Sequence, residues 1–325
     1  MSISYIAVDI QTFRNTTRDI PVDVFIKVSD DNHAHVFSKS TGIDYKRLAQ
    51  YIQKGVKELF IRAEDEATFK EFIRTPAQAV FGDPSIPNER KIAALLNMTE
   101  QNMAEIFSTI NVDEKTAEKT QQVINNYVQL LSENPKTLAL ILKLVSHGDY
   151  LYYHSIAVSI FSMFIAKASG NMNQKMLETL GMGGFLHDIG CTKIPKEILY
   201  SANELDPGQW VEIKEHARLG LEMLENTPNI PDEVRYIVYQ HHEQPSGHGY
   251  PNGLHGPVIY YPAKIVAVAD AFSALITTRP GHPGKSAEEA IKIMQEESGK
   301  YDRELVKLLG TVFLKQDAGA KKKAA

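Results

Sequence analysis

The stretch Leu186-His187-Asp188-Ile189-Gly190 is the most informative in this chain, because it sets two metal-ligand side chains at the end of an apolar helix. Apolar residues at three-to-four spacing predict that helix, and similar patterns predict others on both sides of it. The predicted helices cover roughly 88–109, 113–133, 136–147, 150–168, 174–188, 207–225, 231–242, 262–277 and 286–297. The larger part of the chain is therefore typical of an all-α domain.

Residues of the same chemistry recur on the other predicted helices, namely His154, His216, His241, His242 and Asp270. His154 shares an apolar stripe with Val158 and Phe161, and Asp270 interrupts the apolar run 265–269. A buried carboxylate is unfavourable unless it is paired, hydrogen-bonded or bound to a cation. A lone histidine is more often a satisfied core residue, but recurrence on successive helices favours a metal site.

The chemistry of these side chains fits phosphodiester hydrolysis. Imidazole combined with carboxylate suits iron, manganese, zinc or nickel rather than calcium. Two metals about 3.5–4 Å apart can clamp the attacking and leaving oxygens of an in-line displacement, and they lower the pKa of water. A carboxylate such as Asp188 can bridge two cations and reduce their mutual repulsion.

Composition limits the compartment and the partners. At 325 residues the chain is long enough for two domains, and its net charge of −5 provides no overall positive field to recruit DNA. Cys191 is the single cysteine, which suits a reducing cytosol. No apolar run approaches the roughly 18 residues needed to span a bilayer, and Met1-Ser-Ile-Ser-Tyr does not resemble the start of a signal peptide. We therefore expect a cytoplasmic protein without a membrane span.

The first 75 residues have a different pattern. Alternating apolar residues predict strands at 21–28, 34–38 and 56–62, and helical spacing predicts helices at 44–54 and 64–74. The expected fold class is α+β overall, a small N-terminal α/β module followed by an all-α helical domain. The predicted organisation is a module at 1–80, a linker with connecting helices at 81–134, a metal-binding domain at 135–315 and a disordered tail at 316–325.

Five short motifs in order resemble the signature of the HD-GYP family. They are Leu186-His187-Asp188-Ile189-Gly190, Lys214-Glu-His216, His241-His242-Glu243, Gly249-Tyr250-Pro251 and Val268-Ala269-Asp270. The His-Asp dipeptide alone would be weak evidence, but five motifs at family-like intervals are very specific. The resemblance covers roughly residues 135–315 and leaves out the N-terminal module.

The resemblance implies an HD-superfamily helical fold and hydrolysis of cyclic di-GMP, or of a related cyclic dinucleotide, to pGpG and onward to GMP. It implies two divalent metals, iron or alternatively manganese, with Asp188 as the bridging ligand and His187 and Asp188 as catalytic residues. The implied metal ligands are His154, His187, Asp188, His216, His241, His242 and Asp270. Tyr250, Arg279 and His282 are expected to bind substrate, and the Gly-Tyr-Pro loop to dock a diguanylate cyclase or another signalling protein.

Several departures from the family lie around the substrate. Tyr150 occupies the position of a glutamate that supports a third metal in many members, so we expect two metals. Cys191 replaces the usual lysine, Ser246 and Ser273 replace aspartates, and His282 replaces a second phosphate-binding cation. Loss of one well-placed electrostatic group commonly slows catalysis by about 100- to 1,000-fold.

These observations leave two functional hypotheses. In the first, the chain is a cyclic di-GMP phosphodiesterase with a dinuclear metal site. In the alternative, it is a catalytically weak or inactive HD-GYP protein that senses a cyclic dinucleotide or serves as a docking module for signalling partners.

Overall fold

The computed structural model describes residues 4–14, 20–29, 32–39, 43–74, 81, 86–109, 112–133, 150–170, 173–199, 201, 204–278 and 283–321. Contacts between residues divide the chain into two compact units, Met1–Met98 and Thr99–Ala325. The domain boundaries expected from the sequence, at residues 80, 134 and 315, stay predictions. The α+β fold class is confirmed, since a small antiparallel sheet is followed by a mostly helical region.

The first unit contains a sheet in which four strands are described. They are β1 Tyr5–Asp9, β2 Val24–Ser29, β3 Asn32–Phe37 and β4 Glu58–Arg62, hydrogen-bonded in the order β1-β4-β2-β3 with antiparallel neighbours. The helices described with it are α1 Ile10–Arg14, α2 Tyr45–Gln53 and α3 Glu66–Arg74.

Alternation along the strands builds the core of this unit. Leu59 and Ile61 in β4 are buried and pack with Leu48 of α2 and Phe69 of α3. The sequence prediction missed β1, although its residues 6 and 8 alternate in the same way and pack against this core.

The second unit is built from helices, the first of which, α4, begins in the first unit. Their bounds are α4 Asn88–Thr109, α5 Glu114–Glu133, α6 Tyr150–Ala168, α7 Gln174–Leu186, α8 Lys196–Leu199, α9 Pro207–Lys214, α10 His216–Glu225, α11 Asp232–Gln240, α12 Tyr261–Ile276, α13 Ala287–Glu296 and α14 Arg303–Lys321. A 3₁₀ turn, Ile189–Lys193, follows α7. The helix predicted at 136–147 lies outside the described residues. Among the described helices, none has the length and apolar character that a membrane span requires.

The structure differs from the sequence prediction at two helical segments. The helix expected over 207–225 is interrupted at Glu215, whose amide donates to Glu212 O at 3.1 Å and so tightens the last turn of α9. The carbonyl of Ile213 accepts instead from the ring of His216. The last helix, α14, was not predicted, although Leu305, Leu309 and Phe313 carry a helical apolar spacing; its final turns overlap the tail expected at 316–325.

Helix α6 is the centre of the second unit. Its side chains are buried from His154 to Ala166, and it packs against α7 and α12. Gly184 in α7 permits a close approach, because a Cβ there would lie 2.8 Å from the Cα of Ser159 and 2.9 Å from its nitrogen. This approach sets the carboxyl end of α7, which carries His187, beside α6.

We expect Gly184→Ala to lower the free energy of unfolding by about 1–3 kcal/mol, since the added methyl group would push α7 away from the α6 backbone. Gly310→Ala is the matched control, because a Cβ at that helical glycine would meet only Ile291 Cγ2, at 3.7 Å. This control should be neutral or stabilising. Urea unfolding of both variants checks the prediction, and equal stabilities would contradict it.

Candidate metal centre

The predicted ligand residues come together where α6, α7, α10, α11 and α12 meet. His154 lies in α6, His187 and Asp188 end α7, His216 begins α10, His241 and His242 follow α11, and Asp270 lies in α12. Four of the histidines, namely His154, His187, His216 and His241, are at most 4% exposed. Five helices thus contribute to one buried polar cluster.

Asp188 is at the middle of this cluster. Its Oδ2 lies 3.1 Å from His187 Nε2, and its Oδ1 lies 3.4 Å from His216 Nε2 and 3.7 Å from His241 Nε2. The carboxylate is 17% exposed, so most of its hydration has been replaced by these imidazoles. One side chain therefore contacts histidines from three separate helix ends.

The potential ligand atoms form two groups that share Asp188. One group contains His154 and His187, and the other contains His216, His241 and His242; within each group, which includes Asp188, the atoms lie within 4.8 Å of one another. Asp270 joins the first group through its Oδ1, 3.0 Å from His154 Nε2. The structure thus brings all seven predicted metal ligands together.

Helix ends orient three of the imidazole rings. The Nδ1 atoms of His187, His216 and His241 lie 2.8, 2.7 and 2.7 Å from carbonyl oxygens three residues earlier. Carbonyls in the last turn of a helix have no intrahelical partner, so an Nδ1–H can donate to them. The opposite atom, Nε2, is then directed toward Asp188, just as a hydrogen bond at one ring nitrogen orients a metal-binding histidine.

Gly190 brings the second group close to the first. A Cβ at Gly190 would lie 1.9 Å from the carbonyl oxygen of His216, so only glycine permits this packing of the 3₁₀ turn against α10. The glycine of the Leu186–Gly190 motif therefore sets the separation between Asp188 and His216.

The site concentrates negative charge that attracts cations. Burial alone would lower the pKa of His187, but the charges of Asp188 and Asp270 outweigh it and raise that pKa to about 9. Burial would raise the pKa of both carboxyls, but the surrounding histidines hold the pKa of each below its ordinary value. Burial also lowers the pKa of His242, which favours a neutral imidazole.

The donor set fits a divalent transition metal. His187 Nε2 is buried and has no hydrogen-bond partner among the described residues, although an Asp188 oxygen lies 3.1 Å away as an ion-pair partner. A buried nitrogen of this kind normally has a partner. Imidazole nitrogens and carboxylates are also the ligands that iron, manganese and zinc accept.

The Gly-Tyr-Pro loop, Gly249–Pro251, lies against the ligand group of His216, His241 and His242. The ring of Tyr250 stacks on His242 with centroids 4.6 Å apart, and the ammonium of Lys214 lies 5.6 Å from the Tyr250 ring centroid. Burial raises the pKa of Tyr250, so its phenol stays neutral and able to donate a hydrogen bond. Tyr250 therefore lies beside the cluster, and its role in substrate binding stays a prediction. Lys214 adds a cation that the sequence reasoning had not singled out.

Glu243 holds this loop, a role that the sequence analysis missed. It is 2% exposed, and its two carboxylate oxygens accept from the amides of Asn252 at 2.7 Å and Leu254 at 2.8 Å. The signal available in the sequence was an acidic residue directly after the His241-His242 pair. Glu243 thereby connects the end of α11 to the loop that carries Tyr250.

The other positions that the sequence analysis named are the expected substrate-binding residues and the departures from the family, and the structure describes only some of them. Arg279 and His282 lie outside the described residues, as does the side chain of Tyr150. Cys191 is buried, and burial together with the charge of Asp188 raises the pKa of its thiol. This position therefore carries a neutral group. Ser273 is fully buried and lies 3.1 Å from His154 Nδ1, a contact that the sequence did not predict.

The family follows from a match between residues 121–305 and the HD domain family. The chain belongs to this family. The match covers more than half of the chain and includes every residue of the cluster. The family resemblance that the five ordered motifs predict is confirmed.

Similar curated proteins of this family are phosphodiesterases by name. A cyclic di-GMP phosphodiesterase of Pseudomonas aeruginosa is 28% identical over 68% of this chain and 52% of its own length. A cyclic di-GMP phosphodiesterase of Thermotoga maritima is 34% identical over 59% of this chain and 51% of its own length. A 3′3′-cGAMP-specific phosphodiesterase of Vibrio cholerae is 32% identical over 49% of this chain and 37% of its own length. The chain thus spans about half, or less, of the length of these relatives.

A solved structure shares the fold over nearly the whole chain. It is an HDG"Y"P protein of Bdellovibrio bacteriovorus, with a TM-score of 0.68, 20% sequence identity, and coverage of 95% of this chain and 99% of that one. At this level of identity the similarity concerns the fold alone.

We expect Glu243→Gln to loosen the Tyr250 loop, because an amide NH₂ cannot accept from a backbone N–H as the second carboxylate oxygen does. An unpaired buried amide costs about 1–3 kcal/mol. Hydrogen exchange of the Asn252 and Leu254 amides should therefore accelerate. Glu222→Gln, at a carboxylate whose side chain is 51% exposed, is the control and should change neither rate. Unchanged protection of both amides in the first variant would disprove the assigned role.

Proposed function

We propose that this protein is a metal-dependent phosphodiesterase that hydrolyses cyclic di-GMP to pGpG, and onward to GMP, at a dinuclear centre. The observation that carries the proposal is the pair of ligand groups that share Asp188. A single-metal site would not require seven converging ligand side chains, whereas a carboxylate common to both groups suits two metals held about 3.5–4 Å apart.

Each group would hold one cation, iron or alternatively manganese. His154, His187 and Asp270 would serve the first, and His216, His241 and His242 would serve the second, with Asp188 shared between them. When bound, the two metals would activate water as the nucleophile and neutralise charge on the phosphate. The hydrogen bonds at Nδ1 of His187, His216 and His241 would keep the Nε2 atoms of these rings directed toward Asp188 without further rearrangement.

The substrate class is supported by the relatives and by the surroundings of Tyr250. Cyclic di-GMP and 3′3′-cGAMP are the substrates named for similar proteins. The Tyr250 phenol can donate a hydrogen bond to a phosphate oxygen or a sugar, and Lys214 contributes positive charge on the same side. Since the protein carries a net charge of −5, an anionic substrate depends on such local charge. Arg279 and His282 stay predicted phosphate-binding residues.

One observation favours a second candidate, a receptor that binds a cyclic dinucleotide and turns it over slowly. The buried Cys191 thiol lies close enough to feel the charge of Asp188 and is neutral. A cation at that position would stabilise the developing charge of the reaction directly. Docking of a diguanylate cyclase or another signalling protein at the Gly-Tyr-Pro loop stays a prediction.

Metal content and turnover, measured together, test the proposal. The full chain is purified without oxygen, reconstituted with iron or manganese, and incubated with cyclic di-GMP or 3′3′-cGAMP. We expect about two metals per chain and linear product, with cyclic di-GMP the better substrate. Two metals and tight binding of the cyclic dinucleotide without product would favour the receptor instead, and a folded chain without metal would overturn the site.

Asp188→Ala should lower the metal content from about two per chain to less than one and should also lower the melting temperature, because buried imidazoles lose their common partner. Asp232→Ala, at a carboxylate whose side chain is 73% exposed in the first turn of α11, is the control and should keep both metals. The proposal fails if the two variants hold equal amounts of metal.

Lys214→Met should raise KM up to about fivefold with a smaller change in kcat, the size expected for one exposed charge pair. The effect should shrink as salt is added, because the interaction is screened. Lys292→Met, at an exposed lysine of α13, serves as the control. Equal KM values for the two variants at low salt would exclude Lys214 from substrate binding.

A further inference from the structure

His154 is held in a different way from the three histidines at helix ends. Its Nδ1 lies 3.1 Å from the hydroxyl of Ser273, a residue 119 positions later in the chain, and both side chains are buried. The other three rings lie against backbone carbonyls. Among these four, His154 is thus the one whose Nδ1 faces a side chain.

The position of His154 in its helix explains the difference. It lies within α6, where backbone carbonyls are engaged by the amides four residues later, whereas the carbonyls at the helix ends lack such partners. The described partner of its Nδ1 comes from a neighbouring helix. Helix α12 packs against α6 and supplies it.

Two residues of α12 hold the ring from opposite sides. Asp270 and Ser273 are three residues apart, so they lie on the same face of the helix. Asp270 Oδ1 is 3.0 Å from His154 Nε2, and Ser273 Oγ is 3.1 Å from Nδ1. Both ring nitrogens are therefore paired within one short stretch of α12.

A hydroxyl suits this position because it can either donate or accept a hydrogen bond. In the tautomer with its hydrogen at Nε2, the ring donates to Asp270, and Nδ1 accepts from the Ser273 hydroxyl. A metal ligand needs a lone pair at Nε2, and the ring hydrogen then lies at Nδ1 and donates to the Ser273 oxygen. A backbone carbonyl could serve only the second arrangement, since it accepts but never donates.

We propose that Ser273 is the positioning residue of His154 and that its hydroxyl holds the ring in one place in both tautomers, before and after metal binding. The inference rests on the proposed dinuclear centre and concerns the cation on the side of His154. It assigns a function to a serine at a position where the sequence analysis identified only the loss of an aspartate.

Manganese binding to the metal-stripped full chain tests the proposal. We expect wild type to bind two ions and Ser273→Ala to bind one of them about 10- to 100-fold more weakly, as for other losses of a ligand's hydrogen-bond partner. The second ion should bind as in wild type, because His216 and His241 keep their carbonyl partners. Ser273→Thr keeps the hydroxyl and should recover most of the lost affinity.

Ser162→Ala is the matched control for loss of a buried hydroxyl. Ser162 is fully buried in α6, the same helix as His154, and its Oγ has no hydrogen-bond partner among the described residues. Removing this hydroxyl should leave both affinities unchanged. A similar loss in both alanine variants would show a general packing effect and overturn the specific role of Ser273.

Nitrogen-15 NMR of the His154 ring provides a readout that packing alone would not change. In wild type we expect the hydrogen at Nε2 without metal and at Nδ1 with zinc. If the His154 ring kept the same tautomer without metal and with zinc, the proposed role of Ser273 in both tautomers would be overturned. This outcome is informative even if Ser273→Ala fails to fold.

The two proposals can fail separately. If wild type binds two ions and Ser273→Ala binds both with equal affinity, only the role of Ser273 is disproved. If wild type binds no metal, the proposed function fails, and the metal-bound half of this inference fails with it.

Discussion

The burial of one carboxylate, Asp188, is the constraint on which the helical unit depends. A lone carboxylate in such a place would be strongly destabilising. Three imidazoles within 3.7 Å compensate for the lost hydration. Each comes from a different helix end, so the charge of a single side chain defines where these helices must meet. The close approach of Gly190 to the backbone of His216 follows from the same requirement.

Helix ends supply the imidazoles that surround Asp188, and each needs only one histidine near the end of the helix. The last carbonyls of a helix need partners, and a histidine just beyond the helix can supply one through Nδ1. The same ring then presents Nε2 to the centre. His187, His216 and His241 all use this arrangement. Capping of a helix and orientation of a candidate ligand are therefore one interaction, and the break at Glu215 that separates α9 from α10 is part of it.

The sequence pattern within a single helix was sufficient to predict which candidate residues it carries. It was insufficient to predict which side chains form contacts between two separate elements. The apolar stripe of α6 placed His154 in the core, and the ordered motifs contain the other six candidate ligands that the structure brings to the same site. The bond between His154 and Ser273 spans 119 positions, so no periodicity within either helix indicates it. The loop contacts of Glu243 were missed for the same reason, because its partners are backbone amides of a segment without regular structure.

Charge balance indicates how the centre could act without a cation at Cys191. Two divalent metals carry four positive charges, and Asp188 and Asp270 with neutral imidazoles cancel two of them. The remaining two would match a cyclic dinucleotide, which has one negative charge on each of its two phosphates. Attraction of substrate would then depend mainly on the metals, while Lys214 beside Tyr250 acts at the edge. A neutral thiol at position 191 would therefore affect the rate of the reaction more than the binding of the substrate, since charge develops only as the bond breaks.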